Sequence, residues 1–188
     1  MKKFILGLII GILLPVVGAY LYLSTGRIPV ATNSAPLPFE EKIAHMALSA
    51  RMHKEMPKDS TVPADEPNLI QGAHLYVENC AFCHGLPNQP TTNAAKGMFP
   101  LPPQLFSHDE MVTDDPVGAT YWKIANGIRL TGMPGFGEML SPTQMWQISQ
   151  LLKNADKLPS GVQSSLVSSA PVPLPQPTPP QQPQKPKK

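Results

Sequence analysis

The chain has 188 residues and a formal net charge of +2, which leaves room for one ordinary domain with extensions at its ends. Five of its 15 basic residues lie in the first three and the last four positions, and residues 64–158 carry nine acidic against five basic residues, a net charge of −4. This acidic balance argues against nucleic-acid binding and favours a partner with a basic surface.

The N-terminal segment is apolar and long. Residues 4–23 contain no charged side chain, and as a helix they would be about 30 Å long, the thickness of a bilayer's hydrocarbon core. A cleaved signal peptide is the alternative, but its apolar region is usually only about 7–15 residues long and ends at a small-residue cleavage site. We therefore expect residues 1–23 to be a single-pass anchor in the cell membrane. Lys2 and Lys3 would lie in the cytoplasm and the rest of the chain on the periplasmic, extracytoplasmic side.

A linker with one accessory helix is predicted between residues 24 and 63. Residues 39–55 place Phe39, Ile43 and Met46 on one helical face, with charged residues around it. Pro57 ends this helix. The pattern leaves open which part of the protein the helix packs against.

Residues 64–158 are predicted to form a compact all-α domain. Asp65 or Glu66 caps the first helix, and Ser141 with Gln144 forms a capping box at the start of the last. No segment shows a convincing strand pattern. The predicted helices span residues 67–80, 115–127 and 142–154.

The segment after this domain is predicted to be a disordered, Pro-rich tail over residues 159–188. Its last 18 residues contain eight prolines, so it lacks both the apolar side chains and the backbone donors that a packed structure needs.

The predicted domain of residues 64–158 is small. Its three short helices and long loops bury little apolar surface, and a large apolar group inside the domain would help to stabilise it.

The segment ENCAFCHGLP contains the only two cysteines, Cys80 and Cys83, followed directly by His84. A structural zinc site needs a second ligand pair, which the chain lacks. A thioredoxin-type dithiol belongs in a βαβ context, and a disulfide over so short a loop would add little stability. Covalent haem attachment explains all three residues, with thioethers from both cysteines and His84 on the iron.

The second axial position of such an iron takes Met, His or no protein ligand. Met133 stands in the loop sequence GIRLTGMPGFG, where Pro134 restricts the backbone and the glycines permit close approach. Met98, Met111 and Met139 are competing candidates.

Residues 64–158 resemble the class I c-type cytochromes, and most closely the membrane-anchored monohaem cytochromes of bacterial respiratory chains. The resemblance rests on GAHLYVENCAFCHG, GMFPLPPQLF and YWKIANGIRLTGMPGFG, in that order. It implies a small helical domain wrapped round one covalent haem c, with His84 and Met133 as the axial ligands. It also implies that the helix before the cysteines crosses the last helix near Gly72 and Tyr76.

The resemblance implies further contacts around the haem. The carbonyl of Pro103, or alternatively of Pro102, would accept the second N–H of His84 and orient the ring. Tyr121, Trp122 and Arg129 are candidates for contacts with the propionates, although two aromatic residues on a helix are more often part of a core.

The function predicted from these features is electron transfer rather than enzyme catalysis, by a free carrier or by a subunit of a respiratory complex. Membrane and respiratory redox proteins would be the partners, as donor and acceptor, and assembly into a larger complex stays open. A haem-based redox or gas sensor with a labile distal ligand is the first alternative. A thiol–disulfide enzyme with free cysteines is the second.

Overall fold

The computed structural model describes residues 1–168, and within this range every regular element is a helix, as the sequence predicts. A continuous Pro-rich segment, 171–188, belongs to the predicted tail and lies outside the described residues. The helices are α1 (Lys2–Ser24), α2 (Glu40–Glu55), α3 (Glu66–Asn79), α4 (Ala81–His84), α5 (Asn93–Lys96), α6 (Val117–Asn126), α7 (Pro142–Lys153) and α8 (Ser160–Ser168).

Helix α1 has the properties expected of a membrane anchor. Its 23 residues are long and apolar enough to cross a bilayer, and none of them is buried against the rest of the protein. A helix of this kind exposes apolar side chains on all sides, which is unfavourable in water and favourable in lipid. The structure therefore fits an anchor at the N-terminal end.

The starts of α3 and α7 follow their capping residues. The Asp65 carboxylate accepts the backbone N–H of Asn68 at 3.2 Å, so one otherwise unpaired donor of the first turn is satisfied. The Ser141 side chain accepts the Gln144 N–H at 3.3 Å, and the Gln144 side chain accepts the Ser141 N–H at 2.9 Å. Both helix starts predicted from the sequence are confirmed.

Helices α3 and α7 cross in close contact at Gly72. A Cβ atom at this position would overlap the backbone carbonyl of Gln147, so only glycine lets the two backbones approach this far. The core around the crossing includes Tyr76, Ile148 and Leu151, all fully buried. At the C-terminal end of α3, Val77 and Ala81 belong to the same buried core, and Cys80 packs against it.

Helix α8 corrects the predicted tail. The sequence predicts disorder from residue 159, but residues 160–168 form a helix that packs on α3. Val162 and Leu166 are completely buried and are one helical turn apart, so they share a face. The local sequence is rich in serine and adjoins the Pro-rich segment, and the apolar surface that stabilises α8 is supplied by α3.

Helix α2 packs on α6 and not through its predicted apolar face. Phe39, Ile43 and Met46 are exposed. The contact is made at the C-terminal end of α2, where the Trp122 indole N–H donates to Glu55 at 3.3 Å and the carbonyl of Pro57 lies against Gly118.

The end of the predicted linker also belongs to the packed structure. Val62 is buried, and its carbonyl accepts a hydrogen bond from Gln150 Nε2 at 2.9 Å.

Candidate haem site

Cys80 of the C-x-x-C-H motif joins α3 to the short helix α4, and Cys83 and His84 are the last two residues of α4. The N–H of Cys80 ends α3 by donating to the carbonyl of Tyr76 at 2.8 Å. The N–H groups of Cys83 and His84 then donate to the Cys80 carbonyl at 3.1 and 2.9 Å. Gly85 follows with φ of 70°, which favours glycine and ends the helical turn. Both thiols and the imidazole therefore lie within a segment of five residues.

The orientation of His84 is set by the loop after α5. Its Nδ1 lies 2.8 Å from the carbonyl oxygen of Pro103, the residue that the sequence resemblance favoured over Pro102. A carbonyl can only accept, so Nδ1 carries the proton and Nε2 keeps a lone pair. Burial lowers the pKa of His84, and the Pro103 hydrogen bond raises it by less. The ring is therefore neutral at pH 7 and able to bind a metal through Nε2.

The two cysteines are free and unlike the thiols of redox enzymes. Burial, with a smaller contribution from the neighbouring Cys83, raises the pKa of Cys80 to about 12. Burial also raises the pKa of Cys83. Thiol–disulfide enzymes need a lowered thiol pKa, because the thiolate is the nucleophile. These surroundings therefore count against that alternative.

A zinc site has equally little support. Within residues 1–168, no group of three or more His, Cys, Asp or Glu side chains is placed to hold a metal ion. Structural zinc almost always has four such ligands.

Two residues that the sequence did not predict as site residues support the turn. The buried hydroxyl of Tyr76 donates towards the carbonyls of Gly85 at 2.8 Å and His84 at 3.2 Å. The side-chain amide of Gln104 donates to the carbonyls of Cys83 at 3.2 Å and Pro102 at 3.0 Å. The position of Gln104 next to Pro103 was the only available signal, because its partner Cys83 is 21 residues away in the sequence.

The loop that carries Met133 is fastened to the end of α6. The N–H groups of Phe136 and Gly137 donate to the carbonyls of Ile124 and Ala125 at 2.8 and 3.1 Å. These carbonyls have no partner within the last turn of α6, so the loop satisfies them. The Met133 N–H is held by the Thr131 hydroxyl at 3.1 Å. Met133 is half-buried, and its backbone position is determined by these bonds.

Met98 lies beside this loop. Its sulfur would be 3.0 Å from a Cβ atom at Gly132, directly before Met133. Met111 is half-buried at the end of a turn, where its N–H donates to the Ser107 carbonyl at 3.1 Å, and Met139 is 64% exposed. Of the three competing methionines, Met98 therefore contacts the segment that carries Met133.

Comparison with known families identifies this region. Residues 67–152 match the family described as cytochrome c oxidase, cbb3-type, subunit III. This region is a c-type cytochrome domain. The match spans just under half of the chain and includes the C-x-x-C-H motif and Met133. Comparison with curated proteins gave no match.

The cytochrome domain implies haem and electron transfer in general, and its residues fit this group. The neutral His84 ring presents Nε2 as a ligand, and two protonated thiols lie beside it. The flanking loops expose large apolar side chains, with Leu101 54% and Leu130 93% accessible. Apolar surface of this kind suits the contact with a porphyrin.

The three residues predicted to contact the propionates differ from one another in their neighbours in the structure. Tyr121 stacks on Trp146 with ring centroids 4.2 Å apart, and the indole N–H of Trp122 is bound by Glu55. Arg129 is exposed in the loop after α6. The two aromatic side chains thus take part in packing between helices, and a role of these three residues with propionates stays a prediction.

Proposed function

We propose that the protein is a membrane-tethered monohaem c-type cytochrome that carries electrons, alone or as a subunit of a respiratory complex. The 2.8 Å hydrogen bond between His84 Nδ1 and the Pro103 carbonyl carries this proposal, because it leaves Nε2 available to the iron. The matched family is itself described as an oxidase subunit, which supports a place in respiration.

Cys80 and Cys83 would attach one haem c covalently. Each thiol adds across one vinyl double bond, so that the sulfur forms a C–S bond and the proton goes to the other vinyl carbon. This addition consumes no oxidant and starts from free thiols, the state in which both cysteines occur. Residues on one short turn are well suited to hold a group with two such bonds.

Met133 would complete the axial ligands opposite His84. Its loop is held by two backbone bonds to α6, so the backbone is already ordered and binding would cost mainly the entropy of the Met133 side chain. With His84 and Met133 both bound, no iron position would remain for a substrate, so we propose a carrier and not an enzyme. The haem supplies an iron that takes up and releases one electron, and His/Met ligation raises its potential.

The location and partners follow from α1 and from the charge of the domain. We propose that α1 lies in the cell membrane and that the cytochrome domain lies on its periplasmic side. The net charge of −4 over residues 64–158 would attract redox proteins with basic surfaces. Redox complexes have small interfaces, so docking would be fast and short-lived.

The test is absorption spectroscopy of the membrane-extracted protein, oxidised, reduced, and reduced with CO. We expect a c-type reduced spectrum, a weak far-red methionine–iron band when oxidised, and no change with CO. The Met133→Ala variant should lose the far-red band and bind CO, whereas Met98→Ala and Met139→Ala should keep the wild-type behaviour.

Three results would overturn parts of this proposal. Loss of the band in Met98→Ala and its retention in Met133→Ala would assign the distal position to Met98. CO binding by the wild-type protein would favour the sensor with a labile distal ligand. Absence of a haem that survives denaturation would refute covalent attachment through Cys80 and Cys83.

A further inference from the structure

The peptide group between Pro103 and Gln104 is hydrogen-bonded at both ends. Its carbonyl oxygen accepts the Nδ1–H of His84 at 2.8 Å. Its N–H, contributed by Gln104, donates to the carboxylate oxygen Oε2 of Glu110. A continuous chain of hydrogen bonds thus leads from a carboxylate through a single peptide group to the imidazole.

Two turns bring Glu110 back to this peptide. The N–H of Ser107 donates to the Gln104 carbonyl at 2.7 Å, and the N–H of Glu110 donates to the Ser107 carbonyl at 3.0 Å. The backbone therefore makes two successive three-residue turns, which place the Glu110 carboxylate beside the N–H of Gln104, six positions earlier. The side chain of Gln104 bonds to Pro102 and Cys83, so it does not compete for the Pro103 carbonyl.

This arrangement polarises the peptide group. An ionised acceptor forms a stronger hydrogen bond than a neutral one, and hydrogen bonds in series strengthen one another. The Glu110 carboxylate draws the Gln104 proton and shifts electron density towards the Pro103 oxygen, which becomes a better acceptor for Nδ1–H. A stronger bond at Nδ1 makes Nε2 a stronger electron donor, since such partners raise the basicity of a ligating histidine.

We propose that Glu110 is a positioning residue that lowers the reduction potential of the haem through the Pro103–Gln104 peptide and His84. The inference rests on the proposed role of His84 as iron ligand. Greater donation from His84 stabilises the ferric state more than the ferrous state, and hydrogen bonds around the axial ligand tune the potentials of haem proteins.

The test compares Glu110→Gln with Asp109→Asn in the full-length holoprotein. Glu110→Gln keeps an amide oxygen that accepts the Gln104 N–H but removes the charge. Asp109→Asn removes the same charge one residue away, from a side chain that is exposed and bonded only to its neighbour His108. Potentials are measured by spectroelectrochemical titration.

We expect Glu110→Gln to raise the potential, so that the ferric-to-ferrous ratio at a fixed ambient potential falls several-fold. A tenfold change corresponds to about 59 mV for one electron. Asp109→Asn should change the ratio much less. The difference between wild type and Glu110→Gln should persist in about 1 M salt, where through-space effects of exposed charges are screened beyond about 3 Å.

A second measurement is independent of the potential. In the reduced, diamagnetic protein, the NMR signal of the His84 Nδ1 proton should move upfield in Glu110→Gln, because its hydrogen bond is weaker, and should stay in place in Asp109→Asn. Equal potentials in the two variants, an effect abolished by salt, or an unmoved proton signal would overturn the proposal.

Failure of this inference is distinguishable from failure of the proposed function. If His84→Ala kept the wild-type absorption spectrum, His84 would not be the ligand and the proposed function would fail. If the spectrum depended on His84 while Glu110→Gln and Asp109→Asn behaved alike, only the role of Glu110 would be refuted.

Discussion

At the scale of single residues, Tyr76 shows how α3 supports the turn that follows it. Its hydroxyl lies 2.8 Å from the Gly85 carbonyl and 3.2 Å from that of His84. Burial raises the pKa of Tyr76, with a smaller contribution from Cys80, so the hydroxyl stays protonated and donates. One side chain therefore ties the core to the backbone of the candidate ligand.

Tyr76→Phe should lower the free energy of unfolding of the holoprotein by about 1–2 kcal/mol, because it leaves a buried carbonyl without its donor. The ring should keep its place, since it packs edge-on against Phe106 with centroids 5.1 Å apart. Urea unfolding measures the loss, and the absorption spectrum checks that the haem environment persists. A variant as stable as wild type would show that water or another donor replaces the hydroxyl.

The candidate site was predictable where its chemistry is local. C-x-x-C-H contains both candidate attachment residues and the candidate histidine ligand within five positions, and Pro103 followed from a resemblance to a known motif. Glu110 was not predictable, because a glutamate in a polar loop carries no sign that its carboxylate meets a backbone N–H. That contact depends on two successive turns of the backbone.

At the scale of helices, α6 connects the accessory helix to the methionine loop. In the first turn of α6, Gly118 lies against the backbone carbonyl of Pro57. At its other end, the last carbonyls of α6 accept hydrogen bonds from the loop that carries Met133. The hydrogen bond from Arg51 lowers the pKa of Glu55 and outweighs the opposing effect of partial desolvation. The contact between α2 and α6 thus combines close backbone packing with a charged hydrogen bond to Trp122.

Gly118→Ala should separate α2 from α6, because the added methyl would overlap the Pro57 carbonyl. We expect a loss of stability of about 1–3 kcal/mol and faster hydrogen exchange in residues 40–55. Gly97→Ala is the matched control, since its nearest neighbours would be 3.6 Å away, an ordinary contact. Unchanged exchange in α2 would contradict this account of the contact.

Leu166→Ala tests whether α8 belongs to the folded domain. Leu166 is fully buried against the core, and removing such a side chain costs about 2–5 kcal/mol. Val167, the next residue, is 65% exposed, so Val167→Ala should change stability by less than about 0.5 kcal/mol. Equal midpoints of urea unfolding for the two variants would show that α8 contributes little.

At the scale of the whole molecule, an apolar helix precedes an acidic cytochrome domain. Helix α1 buries no residue in the protein, so its apolar surface needs another environment. The chain between α1 and the domain includes α2 and its N-cap residue Phe39; Phe39, Ile43 and Met46 all remain exposed.

We expect the full-length protein to stay in the membrane fraction after extraction with alkaline carbonate. Protease added outside intact spheroplasts should release the haem-containing domain, because α1 would place it on the periplasmic side. A cytoplasmic protein of the same cells, which should stay intact, controls for lysis. Extraction by carbonate would refute the anchor, and protection from protease would refute the orientation.

The sequence by itself determined the helical class, the starts of α3 and α7, and the C-x-x-C-H motif proposed to attach the haem. Each of these depends on residues a few positions apart, such as Ser141 with Gln144 or Cys80 with Cys83. Only the tertiary structure decided that α8 is a helix, that α2 packs on α6, and that Glu110 reaches the peptide beside His84. Those features depend on contacts between segments that are far apart in the sequence. The free energy of such contacts cannot be predicted from the local pattern of residues.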